Sequence, residues 1–408
     1  MKRVSLTYKI ECFDCEGVAR HIILCKRGCV FPISASLYEA HLHSRRKPKK
    51  GTTRTVLQHV LFLYTWADFD GFDLEKSLFS GMGLQLPDIQ RFSSWLDARC
   101  HKGNKVSDGY KAHIISDCKR FVIWFVKRHV KKVDGEALNI TIYNVVKAHR
   151  EAWSEIELTV VLDVIAEDMT EDFYQEIESY FKPIDLPITK ANPTRLRNYI
   201  MWRLAWEFGL RIGEILSLRT IDVNLISIPN FISIVRLDER KEDEIDFRSP
   251  YQPKVKTLSR ELGFLDPETL LPELIEFYIS TKRTRYIIKN GSRVASTFLG
   301  HDFLFVVHDG TGRSLSCSAA QKISNEARRK SRQDFNWHLA RHSFFNRRYA
   351  EASLYSDNSI LIDHLIYWGG WKSEESLKRY VRRSIRDIAR SGLIKMNKQF
   401  NVYGVGDE

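Results

Sequence analysis

A mainly α-helical chain with a small antiparallel β-sheet in its C-terminal part is predicted by three observations. Apolar residues recur at i, i+3, i+4 and i+7 through long stretches such as TVLQHVLFLYTWADF and GYKAHIISDCKRFVIWFVKRHV. β-rich runs are few and short: FISIVRLDE, VKTLSRELGFL, and FLFVVHDGTGRSLS with its Gly-containing turn. The 408 residues, 43% of them hydrophobic and 12% aromatic, are enough for two or three domains, each with its own core.

Residues 1–45 read as a small β-rich module, because VSLTYKIECF and ARHIILC alternate as a hairpin does. The basic, turn-prone run HSRRKPKKGTTR follows; it suits a solvated connector and a segment tracking a phosphate backbone equally well. Residues 46–150 form a predicted helical bundle, in which PDIQRFSSWLDARC opens on Pro87 and Lys111, Lys119, Arg120, Lys127 and Arg128 make a basic flank. The charged stretch KAHREAWSEIELT leads into residues 158–408. There, helical segments such as TRLRNYIMWRLAWEF and GEILSLR are interrupted by the β-rich runs, giving a mixed α+β domain. No repeat of about 20–50 residues and no low-complexity tract is visible.

A formal net charge of +12 favours a polyanionic partner, most often nucleic acid, through phosphate neutralisation and counterion release. A solvated basic surface has the same composition. No apolar run reaches the roughly 18 residues that span a bilayer, and MKRVSLTYKIECFDC is unlike a secretory signal, so a cytoplasmic location without membrane contact is expected. Seven cysteines, an odd number, fit reduced thiols better than a disulfide framework. Cys12, Cys15, Cys25 and Cys29, spaced Cys-x2-Cys-x9-Cys-x3-Cys, are close enough in sequence to hold one structural zinc in tetrahedral thiolate ligation. They read equally as positions of a plain hairpin.

Polar residues that carry chemistry are spread over the last 200 positions. In GLRIGEILSLR, Leu210, Ile212, Ile215 and Leu216 make an apolar helical face, while Arg211 and Glu214 stand one turn apart as a surface ion pair would. In WHLARHSF, His338 and Arg341 share a helical face, with Phe344 and Phe345 directed to the core. Such a pair offers a forked donor for phosphate and an imidazole that exchanges protons near neutral pH. In GGWKSEESLKRYV, Ser373 suits a helix N-cap, Glu374 and Glu375 its first turn, and Tyr380 falls two turns in beside Leu377 and Val381.

Taken in order and spacing, these three segments resemble the catalytic boxes of the tyrosine recombinase, or phage integrase, family. In that family a tyrosine lies nine positions after a His or Trp that follows glycine; Trp371 to Tyr380 spans nine, whereas Trp368 lies twelve away. The family also places a lysine in a β-hairpin turn, in a K-T-x-x-S-R pattern matched by Lys256 in VKTLSREL, with Lys254 as runner-up. The resemblance covers the chain from about residue 158 and implies a catalytic domain there. For 46–150 it implies a core-type DNA-binding domain, through the helical pattern alone. The first 45 residues lie outside it, as a candidate arm-site or partner-binding module.

The implied activity is site-specific cutting and rejoining of double-stranded DNA, without metal or ATP, for a mobile genetic element, the biological job being open among integration, excision, transposition and dimer resolution. Arg211 and Arg341 would clamp the non-bridging oxygens, Trp371 would donate its indole N–H, and Tyr380 would attack the phosphorus. His338 would take the phenolic proton and Lys256 protonate the leaving 5′ oxygen. The resemblance further implies a homo-tetramer on two DNA sites, with accessory recombinases as candidate partners. The tail after about Ser384 either docks on a neighbouring protomer or folds back on its own core. A type IB topoisomerase and a non-catalytic DNA-binding protein of the same fold are the alternative readings.

Overall fold

The computed structural model describes residues 7–15, 18–28, 30–45, 50–98, 100–101, 104–129, 136–156, 168–182, 188–226, 228–240, 253, 255–355 and 359–402. The chain divides into two compact units, Met1–Val164 and Ile165–Glu408.

The first unit opens with an antiparallel pair, β1 (Tyr8–Cys15) and β2 (Val18–Cys25), in which Ile23 enters the core of the helices that follow. The next segment departs from the strand expectation: α1 (Ile33–Arg45) is a helix. Its buried Ala35 and Tyr38 and half-buried Leu42 recur at helical intervals, which outweighs the β character of the residues before them. The basic run thought to be a linker is divided between the end of α1 and the start of α2 (Lys50–Asp70), with residues 46–49 outside the described set.

The short α3 (Leu74–Phe79) and α4 (Leu86–Asp97), a two-residue bridge of β3 (Cys100–His101) with β4 (Asn104–Lys105), α5 (Asp108–His129) and α6 (Glu136–Ser154) complete the unit. Its centre is α2 against α5. Leu57, Val60, Leu61 and Tyr64 are buried on α2, and Ile114, Cys118, Phe121 and Phe125 on α5. Each such Leu, Val, Ile or Phe side chain contributes roughly 1.5–3 kcal/mol by leaving water. α6 runs to Ser154 and buries Trp153, so the first part of KAHREAWSEIELT is helical; residues 157–167 lie outside the described set.

The second unit is also mainly helical and carries small antiparallel sheets. Thr170 caps α7 (Glu171–Phe181) by accepting from the Phe173 N–H, and Asn192 followed by Pro193 starts α8 (Pro193–Glu207). Between them sits Trp202, stacked 5.7 Å from Phe181, its indole N–H donating to Glu178 at 2.6 Å.

After α9 (Ile212–Ser217) come β5 (Val223–Asn224), β6 (Phe231–Ile234) and β7 (Arg260–Gly263), a three-stranded antiparallel sheet in that order with Ile234 opposite Arg260. α10 (Leu271–Phe277) precedes a separate two-stranded ribbon of β8 (Arg285–Lys289) and β9 (Ser292–Ser296). FLFVVHDGTGRSLS forms no strand, only isolated bridges, Phe303 with Arg219 and Val306 with Ser314.

α11 (Cys317–Ser331) is capped by Ser316 and α12 (Trp337–Ala352) by Asn336. α13 (Ser359–Gly369), α14 (Glu374–Lys378) and α15 (Arg382–Val402) finish the unit. α15 leaves Ile385, Ile388, Leu393, Ile394 and Met396 exposed. Among the described residues no helix is long and apolar enough to cross a membrane.

Candidate active site

Arg211 owes its position to a turn rather than a helical flank. Gly209 adopts φ 61°, and a Cβ there would stand 2.5 Å from the Phe344 ring, so a larger residue would be both strained and obstructed. Arg211 itself is the extended N-cap of α9, and the Glu214 carboxylate at the third helical position accepts its backbone N–H at 2.8 Å. The guanidinium therefore leaves the end of α9, and its Nη2 donates to the Tyr380 hydroxyl at 3.0 Å.

On α12, His338, Arg341 and His342 share a face by their i, i+3, i+4 spacing, and Phe344 and Phe345 are buried as their sequence context suggested. Arg341 is fully enclosed. Its Nη1 donates to the Gly209 carbonyl at 2.6 Å and its Nη2 to the Gly369 carbonyl at 3.0 Å. The rings of Phe345, Trp371 and Tyr380 stand 4.7, 4.9 and 5.1 Å from the guanidinium carbon. His342, which the sequence reading passed over, stacks on the Tyr380 ring at 4.6 Å, and its Nδ1 lies 3.4 Å from the Tyr380 carbonyl oxygen. Its signal was its place four residues after His338.

Tyr380 is not inside a helix, contrary to the sequence reading. α14 ends at Lys378, and the Tyr380 N–H bonds to the Leu377 carbonyl at 2.8 Å in a tight turn before α15. Leu377 and Val381 are fully buried and fix that turn. Ser373 occupies the N-cap position without a side-chain capping bond. The Trp371 ring lies 4.9 Å from that of Tyr380 and is nearly buried. Trp368 instead donates its indole N–H to the Phe208 carbonyl at 2.9 Å, so that donor is already used within the core.

Glu214 organises the electrostatics. It is buried among Arg211, Arg260 and Arg341, with carboxylate-to-nitrogen distances of 3.6, 3.4 and 3.6 Å, and it accepts a hydrogen bond from Thr257. Burial alone raises its pKa, but Arg260, Arg341, the Thr257 bond and Arg211 outweigh that and hold it at about 2. Among the described residues it is the one carboxylate paired with any of the three arginines. The cluster therefore carries surplus positive charge.

Burial lowers Arg341 to about 10 against the pull of Glu214, which leaves it cationic at neutral pH. Burial likewise pushes His338 down to about 4, helped by His342, Arg341 and Arg211, so its imidazole is neutral there. Arg211 Nη1 and Arg341 Nε are buried and make no hydrogen bond among the described residues. These two nitrogens, that of Arg211 held by its 3.6 Å ion pair with Glu214 alone, lie in a net cationic cluster that also holds a phenol, an arrangement that suits an oxyanion such as a phosphodiester.

Lys256 lies in the connection from β6 to β7, where its neighbours tie the loop to the cluster. Thr257 bonds to Glu214, the Leu258 N–H donates to the Gly370 carbonyl at 3.0 Å, and Arg260 donates to the Trp368 carbonyl at 2.7 Å. Lys254 lies outside the described residues. Gly370, at φ 64°, leaves room for this loop: a Cβ would meet Arg260 and Thr257 at 2.7 Å.

Cys12, Cys15 and Cys25 are spread along the β1–β2 ribbon. Cys12 faces His21 across the ribbon, Cys15 faces Val18 at its turn, and Cys25 faces Tyr8 at its open end. At about 3.3 Å per residue, Cys15 and Cys25 are roughly 23 Å apart along the strands. One zinc needs its sulfurs within about 4 Å of one another. Cys29 lies outside the described residues, and among those described no group of three or more metal-binding side chains is found. On the basic flank of the first unit, Lys111 is paired with Asp97 at 2.7 Å and Arg120 with Asp117.

No protein-family model and no curated protein matches the chain. Solved structures do. A fragment of the Tn1549 transposon integrase, in complex with transposon right end DNA, matches with TM-score 0.55 and 15% identity over 89% of this chain and 99% of that one. The XerH site-specific recombinase bound to palindromic difH substrate matches with TM-score 0.53 and 15% identity over 89% and 85%. A pre-cleavage XerH complex gives TM-score 0.52 at 13% identity. The chain thus has the fold of the tyrosine recombinases.

Proposed function

We propose that the chain is a site-specific DNA recombinase that cuts and rejoins duplex DNA through a 3′-phosphotyrosyl intermediate, for a mobile genetic element. The observation that carries this reading is the 3.0 Å bond from Arg211 to the Tyr380 hydroxyl, inside a cluster with more guanidinium than carboxylate charge. That the neighbours of the same fold are an integrase and a recombinase in complex with DNA supports it.

Tyr380 Oη attacks the phosphorus, and neutral His338 takes its proton. The bond from phosphorus to the 5′ oxygen breaks, and Lys256 protonates that oxygen. Arg211 and Arg341 stabilise the charge on the non-bridging oxygens, and the Trp371 indole N–H is a further donor to them. Arg341 is fully enclosed, with the rings of Phe345, Trp371 and Tyr380 packed around its guanidinium. The ester stores the energy of the broken linkage, and a partner strand's 5′ hydroxyl reverses the step, with no demand for ATP or metal. The exposed apolar residues of α15 favour docking on a neighbouring protomer in a tetramer on two DNA sites. That same feature favours recombination over topoisomerase-type relaxation.

A duplex nicked just beyond the cleavage point tests the proposal. The full chain traps DNA covalently in the presence of a chelator, and Tyr380→Phe does not. Exchange of strands between two duplexes separates a recombinase from a relaxing enzyme. Covalent capture by the Phe variant equal to the parent's would overturn the assignment.

A further inference from the structure

The β8–β9 ribbon takes no part in the cluster around Tyr380. Its five-residue strands pair from Arg285 opposite Ser296 to Lys289 opposite Ser292, about 17 Å of ladder. The two-residue turn Asn290–Gly291 has φ 51° and 74° at its tip, the tight hairpin geometry that matches strand twist. The base is anchored: the Tyr286 N–H bonds to the Gly310 carbonyl at 2.8 Å, and Arg283 donates to the Phe303 carbonyl at 2.8 Å. Beyond that anchor the ribbon stands out, with Ile288 80% exposed and Lys289, Ser292, Arg293 and Val294 all on the surface.

Its charge is one-sided. Residues 285–296 hold Arg285, Lys289 and Arg293 and no acidic residue. None of these three cations is in an ion pair among the described residues, and the Arg285 Nε is buried without a hydrogen-bond partner. Arg293 lies over the Tyr286 ring at 5.4 Å, which holds it on the same face as Ile288. Lys289 and Ser292 point to the other face.

We infer that this ribbon is a duplex-DNA contact element that enters a groove by its tip. A two-stranded ribbon has the width of the major groove, and this one presents Arg293 beside the apolar Ile288 on one face and Lys289 with Ser292 on the other. The uncompensated cations match the phosphates flanking a groove. The inference rests on the proposed function in taking duplex DNA as the partner, but it involves no residue of the Tyr380 cluster.

Fluorescence anisotropy of the full chain on a labelled duplex of about 30 base pairs, read across a salt series, tests it. Lys289→Gln with Arg293→Gln is expected to lower the slope of log K against log salt by about 1.8 and to weaken binding roughly 30-fold at about 0.15 M salt. A photo-crosslinking residue at Ser292 is expected to capture a DNA strand. Unchanged slope and affinity in the double variant, or no capture from Ser292, overturns the ribbon's role while leaving the Tyr380 site untouched. An Ile288→Ser variant that changes self-association and not DNA binding overturns it too, in favour of a protein partner. If the parent chain itself does not bind the duplex, the proposed function fails first.

Discussion

Replacing Glu214 with glutamine removes the negative charge at the centre of three guanidinium groups while keeping the shape of the side chain. Glu214 is 1% exposed, so solvent screens little of its interaction with them. Its pKa is held at about 2 against a reference of 4.5, and each pKa unit is worth about 1.4 kcal/mol, so the ionised carboxylate stabilises the fold by about 3 kcal/mol. That agrees with the roughly 3–5 kcal/mol lost when one partner of a buried ion pair is removed. Because the folded pKa is depressed, this stability is fully present above the unfolded value and is lost as pH falls through the folded one. The gap between parent and Glu214→Gln should therefore be about 3 kcal/mol at pH 7 and shrink by roughly 2 kcal/mol between about pH 5 and 3. Hydrogen exchange of residues 212–217 and 337–352, measured for both proteins across that range, reads it out locally. A glutamine variant as protected as the parent at neutral pH, or a gap that does not close in acid, would refute the assigned role.

Other consequences concern the chemistry and its assembly. With His338 pushed down to about 4, the rate of covalent-complex formation should rise with pH up to about 5 and show no inflection near the ordinary histidine value; a rate that tracks a pKa near 6.5 would contradict His338 as the base. Trp368→Phe leaves the Phe208 carbonyl without its donor and should lower stability by about 1–3 kcal/mol with cleavage by the folded protein intact, while Trp371→Phe, at a ring buried against Phe345, should slow cleavage by the folded protein as well as lower stability. Thermal unfolding and single-turnover cleavage of the two variants separate these outcomes. Deleting the chain after residue 384 should abolish strand exchange between two duplexes and retain covalent trapping on one nicked duplex. Exchange at the parent's rate would place α15 outside the assembly.

Much of the site was legible because its residues fall into short segments with strong local pattern. The i, i+3 spacing of His338 and Arg341 survives in α12, and the nine-residue interval from Trp371 to Tyr380 brings their rings to 4.9 Å. The helical periodicity of α2 and α5 marked the faces that are now buried. The misreadings lie where distant contacts override local preference. α1 is helical among strand-like neighbours because Ala35 and Tyr38 find a core to enter. Tyr380 leaves the helix because the next turn folds over buried Leu377 and Val381.

The sequence by itself determined which side chains of the proposed chemistry exist, their order along the chain, and the helical faces that carry them, since these follow from residue type and from periods of a few residues. Tertiary structure decided the rest: that Glu214 is a buried hub rather than half of a surface pair, that Arg341 is enclosed beneath Tyr380, that His342 stacks on that ring, and that Cys15 and Cys25 sit at opposite ends of a ribbon. The bond from Arg211 to Tyr380 joins positions 169 residues apart. Burial and charge at such a contact depend on every element packed around it, and no local period records them.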